Sequence, residues 1–239
     1  MSEWAPKRFW TSAAAGRGTA GFAVLLDGRT ARTPARHRLE VPNLALAEAI
    51  AEEWAAQGEA VDPASMPLTR LANAALDRVA PQREEVVRIV AAYGESDLLC
   101  YRAESPAALV ARQQAGWDPL LDWAAEALDA PLTRASGVMH VPQPAESLAR
   151  LAGRVAALDA FRLTGLHELT ALSGSLVLAL AVLTRRLDAA TAWPLSRIDE
   201  TWQAEQWGED AEAAAGAAAR EADFLLAERF LQLLETEHV

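Results

Sequence analysis

The dipeptide Asp27-Gly28 limits what the first part of this chain can become. It separates an apolar run at 22–26 from a run at 29–33 in which small and basic residues alternate. Two such runs joined by Asp-Gly predict a β-hairpin, because both residues tolerate the positive φ that a tight two-residue turn demands. Pro34 closes the second strand, and Leu39-Glu40-Val41-Pro42 supplies a short third. Residues 5–42 therefore read as a small β-rich unit of three or four strands. Arg29, Arg32, Arg36 and Arg38 make it locally basic, which reads as a solvated face.

From residue 43 onward the hydrophobic period is helical almost without interruption. Asn43 is an N-cap, followed at four-residue spacing by Leu46, Ile50 and Trp54 up to Gly58. That stripe predicts a core position for Trp54. A short link at 63–67 leads to a helix over 68–79, and Pro81 opens another that ends at Gly94. Pro106 opens a helix through Trp117 that carries Gln113 and Gln114, and Asp118-Pro119 is expected to start the next. After a stretch of prolines, in which 138–141 suggests a strand, helices follow at 145–158, 166–187 and 194–207. The last runs from Ala211 to Glu235, with Glu209, Asp210 and Glu212 near its positive N-terminus. The fold class is thus α+β, a small N-terminal β-rich domain (1–60) followed by a larger, mainly α-helical domain (61–239). Abundant alanine favours the helical part.

Charge and cysteine usage narrow the function. A net charge of −11 argues against nucleic acid, whose binding needs clustered Lys and Arg, and against an anionic membrane surface. Cys100 is the one cysteine, so no internal disulfide or multi-cysteine zinc site can form, and a reducing compartment is expected. MSEWAPKRFW contains no apolar signal core and is not the Arg- and Ser-rich run of a transit peptide. The longest mainly apolar run, 169–183, is fifteen residues and too short to span a bilayer, so a buried helix in a soluble protein is expected.

The usual catalytic patterns are missing. His37, His140, His167 and His238 fit no HxH, HxxxH or HExxH spacing, and His167 on an apolar helix reads as a core histidine. No G-x-S-x-G, Walker A or GxGxxG sequence occurs, and Cys100 reads as a buried structural thiol. No catalytic residue, cofactor or metal is expected. The stretch 199–210, DETWQAEQWGED, is different: it holds two of the eight tryptophans, five carboxylates and a glycine. On a helix, Leu195, Ile198 and Trp202 fall on a core side, and Glu200, Gln203 and Trp207 fall together on the other. A carboxylate, an amide and an indole there form a candidate recognition face; the plainer alternative is a local cluster capped by Trp207 among solvated acids.

Several ordered pieces resemble a known family. They are Lys7-Arg8-Phe9-Trp10; Leu26-Asp27-Gly28-Arg29 with Thr33-Pro34; Ala51-Glu52-Glu53-Trp54 with Met66-Pro67-Leu68-Thr69 and Asn73; Tyr93 with Ser96-Asp97-Leu98-Leu99-Cys100-Tyr101-Arg102; Gln113 with Trp117-Asp118-Pro119-Leu120; and Gln206-Trp207-Gly208. Their order resembles the assembly chaperones that bind the alpha subunit of the ATP synthase catalytic head in mitochondria and alphaproteobacteria. The resemblance implies a β-rich N-terminal and a helical C-terminal domain. It also implies a non-enzymatic role, holding a free alpha subunit until the beta subunit displaces it. The family's functional acid just before the Gln-Trp-Gly segment carries over to Glu200, with Asp199 as the neighbouring possibility. The implied partner-binding set is Glu200, Asp199, Gln203 and Trp207, on a monomer in the bacterial cytoplasm. A helical enzyme or small-molecule-binding protein with an interdomain pocket is the competing reading, and a generic adaptor the third.

Overall fold

The structure, a computed structural model, describes residues 7–235. Four short strands, β1 (Ala13–Arg17), β2 (Phe22–Leu26), β3 (Arg29–Thr30) and β4 (Glu40–Val41), form an antiparallel sheet in which β2 pairs with all three others. Leu26 lies opposite Arg29, and Asp27 and Gly28 have φ of 48° and 78°. That is the primed two-residue turn expected of Asp-Gly, whose twist matches the strands it joins. β1 was invisible to propensity, since Ala-Ala-Ala-Gly-Arg is a poor strand sequence. It is held by full pairing, from Ala13 opposite Leu26 to Arg17 opposite Phe22.

Two carboxylates fasten this sheet. Asp27 accepts from the Thr11 and Ser12 N–H groups at 3.0 and 2.9 Å and from both hydroxyls. The Ser12 N–H leads the bonds that hold its pKa at about 2. Burial would raise Glu40, but the Ala20 and Thr19 N–H groups, the Thr19 hydroxyl and the Arg38 guanidinium outweigh it and bring it to about 2.

α1 (Leu44–Ala55) is capped as expected, the Leu46 N–H donating to Asn43 Oδ1 at 3.1 Å. Leu46, Ala47 and Ile50 are buried where α1 packs on β1 and β2. Trp54, however, is only half-buried. It lies in the last turn of α1, and Trp10, 4% exposed, takes the buried place against it with ring centroids 4.9 Å apart. From the same turn Glu53 reaches the start of α2 (Pro67–Ala74). It accepts from Leu68 N at 2.7 Å, Thr69 N at 2.8 Å and Thr69 Oγ1 at 2.7 Å. A carboxylate on those unpaired first-turn donors both caps the helix and meets its positive end. α2 continues as a π turn, Ala75–Val79, closed by Ala80 N donating to Ala75 O.

The chain divides into two compact units: Met1–Arg83 with Asp159–Gly165 and Arg229–Val239, and Glu84–Leu158 with Leu166–Glu228. The second is built from all but the first residue of α3 (Arg83–Ala92), α4 (Ala107–Ala127), α5 (Ala145–Ala156), most of α6 (Ala160–Ser173), α7 (Leu176–Leu183), α8 (Ala189–Ser196), α9 (Ile198–Trp207) and most of α10 (Ala211–Glu235). It also holds one parallel pair, β5 (Tyr101–Arg102) with β6 (Ala135–Ser136). The α+β class is as the sequence indicated.

Four boundaries differ from the sequence reading. Pro119 does not start a helix but lies inside α4. An interior proline costs about 3 kcal/mol. Burying Trp117, Leu120 and Leu121 on the same helix, at roughly 1.5–3 kcal/mol each, exceeds that. The segment 166–187 is two helices, parted where Gly174 takes φ 72° and Ser175 Oγ accepts from Leu178 N. The helix expected over 194–207 begins earlier, as α8, and breaks at Arg197. The strand expected at 138–141 is absent: Val138 and Met139 are exposed, and the pairing falls at Ala135–Ser136 instead.

The break at Gly174 is pinned by Asp97. Fully buried, it accepts from Leu99 N at 3.0 Å, Ser175 Oγ at 2.7 Å and Val177 N at 3.0 Å. No helix among the described residues is long and apolar enough to cross a membrane.

Candidate functional site

Ile198 anchors α9, and Gly116 of α4 gives it room. A Cβ at Gly116 would stand 2.9 Å from Ile198 Cδ1 and 3.1 Å from Leu195 Cδ2. One residue on, the buried Trp117 donates Nε1–H to Leu195 O at 2.7 Å. The side expected to face a core does so: Ile198 is buried, and Leu195 and Trp202 are half-buried. Trp202 lies under the Arg112 guanidinium, 5.1 Å from its ring, and Arg112 forks onto Glu205 with two bonds of 2.9 Å. That fork holds Glu205 below the usual carboxylate range and raises Arg112.

Glu200, Gln203 and Trp207 are all exposed, Trp207 to 80%. Glu200 forms a surface pair with Arg197 at 2.6 Å, one turn back. Trp207 is the last residue of α9, which Gly208 ends with φ 91°, the positive-φ stop that glycine supplies at little cost. Asp199 is separated from them. It is half-buried and accepts from Gln113 Nε2 at 2.6 Å, while Gln113 Oε1 accepts from Ala103 N at 2.8 Å. Gln113 on α4 therefore ties Asp199 of α9 to Ala103, the residue after β5, and its bond to Asp199 spans 86 residues that no local pattern connects.

The other groups singled out in the sequence lie apart. His37 pairs with Asp77 at 2.8 Å, and His140 with Tyr101 and Glu95 at 3.2 and 3.3 Å. His167 is no core histidine: its side chain is 40% exposed beside Glu168. His238 lies outside the described residues. Burial, with Asp97 nearby, pushes the Cys100 thiol up to about 12, where it is no nucleophile at neutral pH. Among the described residues no cluster of three His, Cys, Asp or Glu side chains could hold a metal.

Known proteins share this architecture over most of the chain. The family described as ATP12 chaperone protein matches residues 7–125. The crystal structure of Atp12 from Paracoccus denitrificans is 53% identical, with a TM-score of 0.93 over 96% of this chain and 98% of that one. A mutant of that protein with one aspartate replaced by lysine matches with the same TM-score. A protein of Agrobacterium tumefaciens, 43% identical, matches with a TM-score of 0.91 over 96% of this chain and 87% of its own. The mitochondrial protein atp12 of Schizosaccharomyces pombe is 24% identical over 84% of this chain and 74% of its own length. The matched family is one of chaperones. The chain belongs to the ATP12 chaperone family, whose members serve ATP synthase assembly.

Proposed function

We propose that this protein holds the free alpha subunit of the ATP synthase catalytic head through the exposed side of α9, until the beta subunit takes its place. The observation that carries this reading is an indole 80% exposed on the same helix side as an exposed carboxylate and amide. The opposite side of that helix is anchored by Ile198. Large exposed aromatics are costly to leave in water and dominate interfaces once covered. Trp207 is the anchor, Glu200 and Gln203 orient the partner, and Asp199 holds the helix through Gln113. An unassembled subunit exposes apolar surface that aggregates, and a monomeric partner of net charge −11 in the bacterial cytoplasm keeps the pair dispersed. Holding a subunit needs no bond chemistry, so the role is non-enzymatic.

The test is Glu200→Lys beside Trp207→Ala. Glu200 is about half exposed in its pair with Arg197, so reversal should alter stability by no more than about 1 kcal/mol. Retention of alpha subunit in solution should fall by an order of magnitude or more in each variant, since a reversed charge at an interface costs on the order of several kcal/mol. Unimpaired retention in both, with unchanged melting, defeats the assignment of this face.

A further inference from the structure

The first unit contains a cleft of about 640 Å³ that the α9 reading does not use. Trp54 and Asn73 line it, and each carries a buried polar atom with no hydrogen bond in the protein: the indole Nε1–H and the amide Oδ1. Buried orphans of this kind are uncommon, and one donor and one acceptor in the same cleft wall ask for a ligand that offers the complement of both. The floor is apolar, with Val61 and Met66 buried. Arg32, Arg70 and Arg78 line the cleft with exposed side chains, a cationic spot in a chain of net charge −11. Asp77 also borders it, but its oxygens already accept from Thr33 Oγ1 at 2.6 Å, Ala35 N at 3.0 Å and His37 at 2.8 Å. Arg70, Asn73 and Asp77 share one stripe of α2 and its π turn, and π turns recur where a helix is reshaped around a binding site.

We propose that this cleft binds an extended acidic peptide segment of a client chain, an apolar side chain on the floor and carboxylates toward the arginines. An extended chain turns the N–H and the C=O of one residue to the same side, so a single residue of it offers an acceptor to the Trp54 indole and a donor to the Asn73 oxygen. A free carboxylate offers no donor to Asn73, and an ammonium group offers no acceptor to Trp54. The proposal rests on the reading of the protein as a client-holding chaperone, but places a second contact on a different surface.

The experiment titrates the ¹⁵N-labelled full chain with three probes: a blocked peptide with an Asp-Leu-Asp centre, the same peptide with lysines for the aspartates, and hexanoate. The Trp54 indole resonance is identified as the one lost in Trp54→Phe. Saturable movement of that resonance by the acidic peptide is expected, and the backbone amides lining the cleft, which every variant keeps, should report binding about tenfold weaker in Trp54→Phe and in Asn73→Leu, the loss of one hydrogen bond each. The lysine peptide should bind at least about tenfold more weakly, as like charges oppose it. An unmoved Trp54 resonance overturns the proposal, as do equal affinities across the variants. Hexanoate binding as well as the peptide would also overturn it, since the cleft would then take a free carboxylate. Glu200→Lys should bind the peptide like the wild type, so failure of the α9 reading and failure of this one give different results.

Discussion

Asp97 has three donors aimed at one buried carboxylate, and that single residue sets where two helices part. Removing it leaves the Leu99 and Val177 N–H groups and the Ser175 hydroxyl without their acceptor. Asp97→Ala should therefore cost about 3 kcal/mol, each orphaned buried donor being worth about 1 kcal/mol or more. A urea midpoint equal to wild type would show that the pin is dispensable. The tryptophans separate in the same way by burial. Trp117 is fully buried and its replacement by Ala should cost roughly 3–5 kcal/mol. Trp54→Ala should cost distinctly less, because its ring is half-exposed and Trp10 occupies the covered place. Thermal melts of the two variants side by side decide this, and equal losses would contradict the burial seen here.

Among the elements, the small sheet depends most on pH. Glu40 is held at about 2 against an ordinary glutamate value of 4.5. A folded-state pKa depressed below the unfolded one gives stability that is present above the unfolded value and lost as pH falls through the folded one. The advantage of wild type over Glu40→Gln should thus be full above about pH 4.5 and fade down to about pH 2. Paired urea titrations across that range read it directly, and a constant difference would rule out Glu40 as the source. Glu53 does for α2 what Glu40 does for the strand turn: both carry a side chain to unpaired backbone N–H groups of another element. Residues that mark the family resemblance, Asp27, Glu53 and Asp97 among them, are here fasteners of the fold, whereas Glu200 is exposed and paired only to Arg197.

For the whole molecule the governing quantity is charge. On the proposed engagement of a basic partner group by Glu200, this chain of −11 should associate faster at low salt, because steering acts over a Debye length of about 10 Å at 0.1 M. Raising ionic strength from about 0.05 to 0.5 M should slow capture of the alpha subunit by roughly tenfold while changing dissociation little. Stopped-flow mixing measures both rates. An association rate indifferent to salt would mean that apolar contact, with Trp207 as its centre, acts without steering.

Local chemistry was enough to read the Asp27-Gly28 turn, strand β2, the Asn43 cap, the span of α10 and the two sides of α9. Each of these depends on residues within a few positions of one another, where backbone sterics and hydrophobic period decide. The family resemblance was equally legible, since an ordered set of short motifs is itself a sequence property. Tertiary structure alone decided the rest. β1 exists because β2 offers it a full ladder, α4 runs through Pro119 because its buried face outweighs the lost bond, and Gly174 breaks a helix because Asp97 waits 77 positions away. Asp199 turned inward because Gln113 meets it, and Trp54 left the core because Trp10 entered it. A hydrogen-bond partner or a packing neighbour distant in the chain leaves no periodic trace, so its effect is set only when the fold brings the two together.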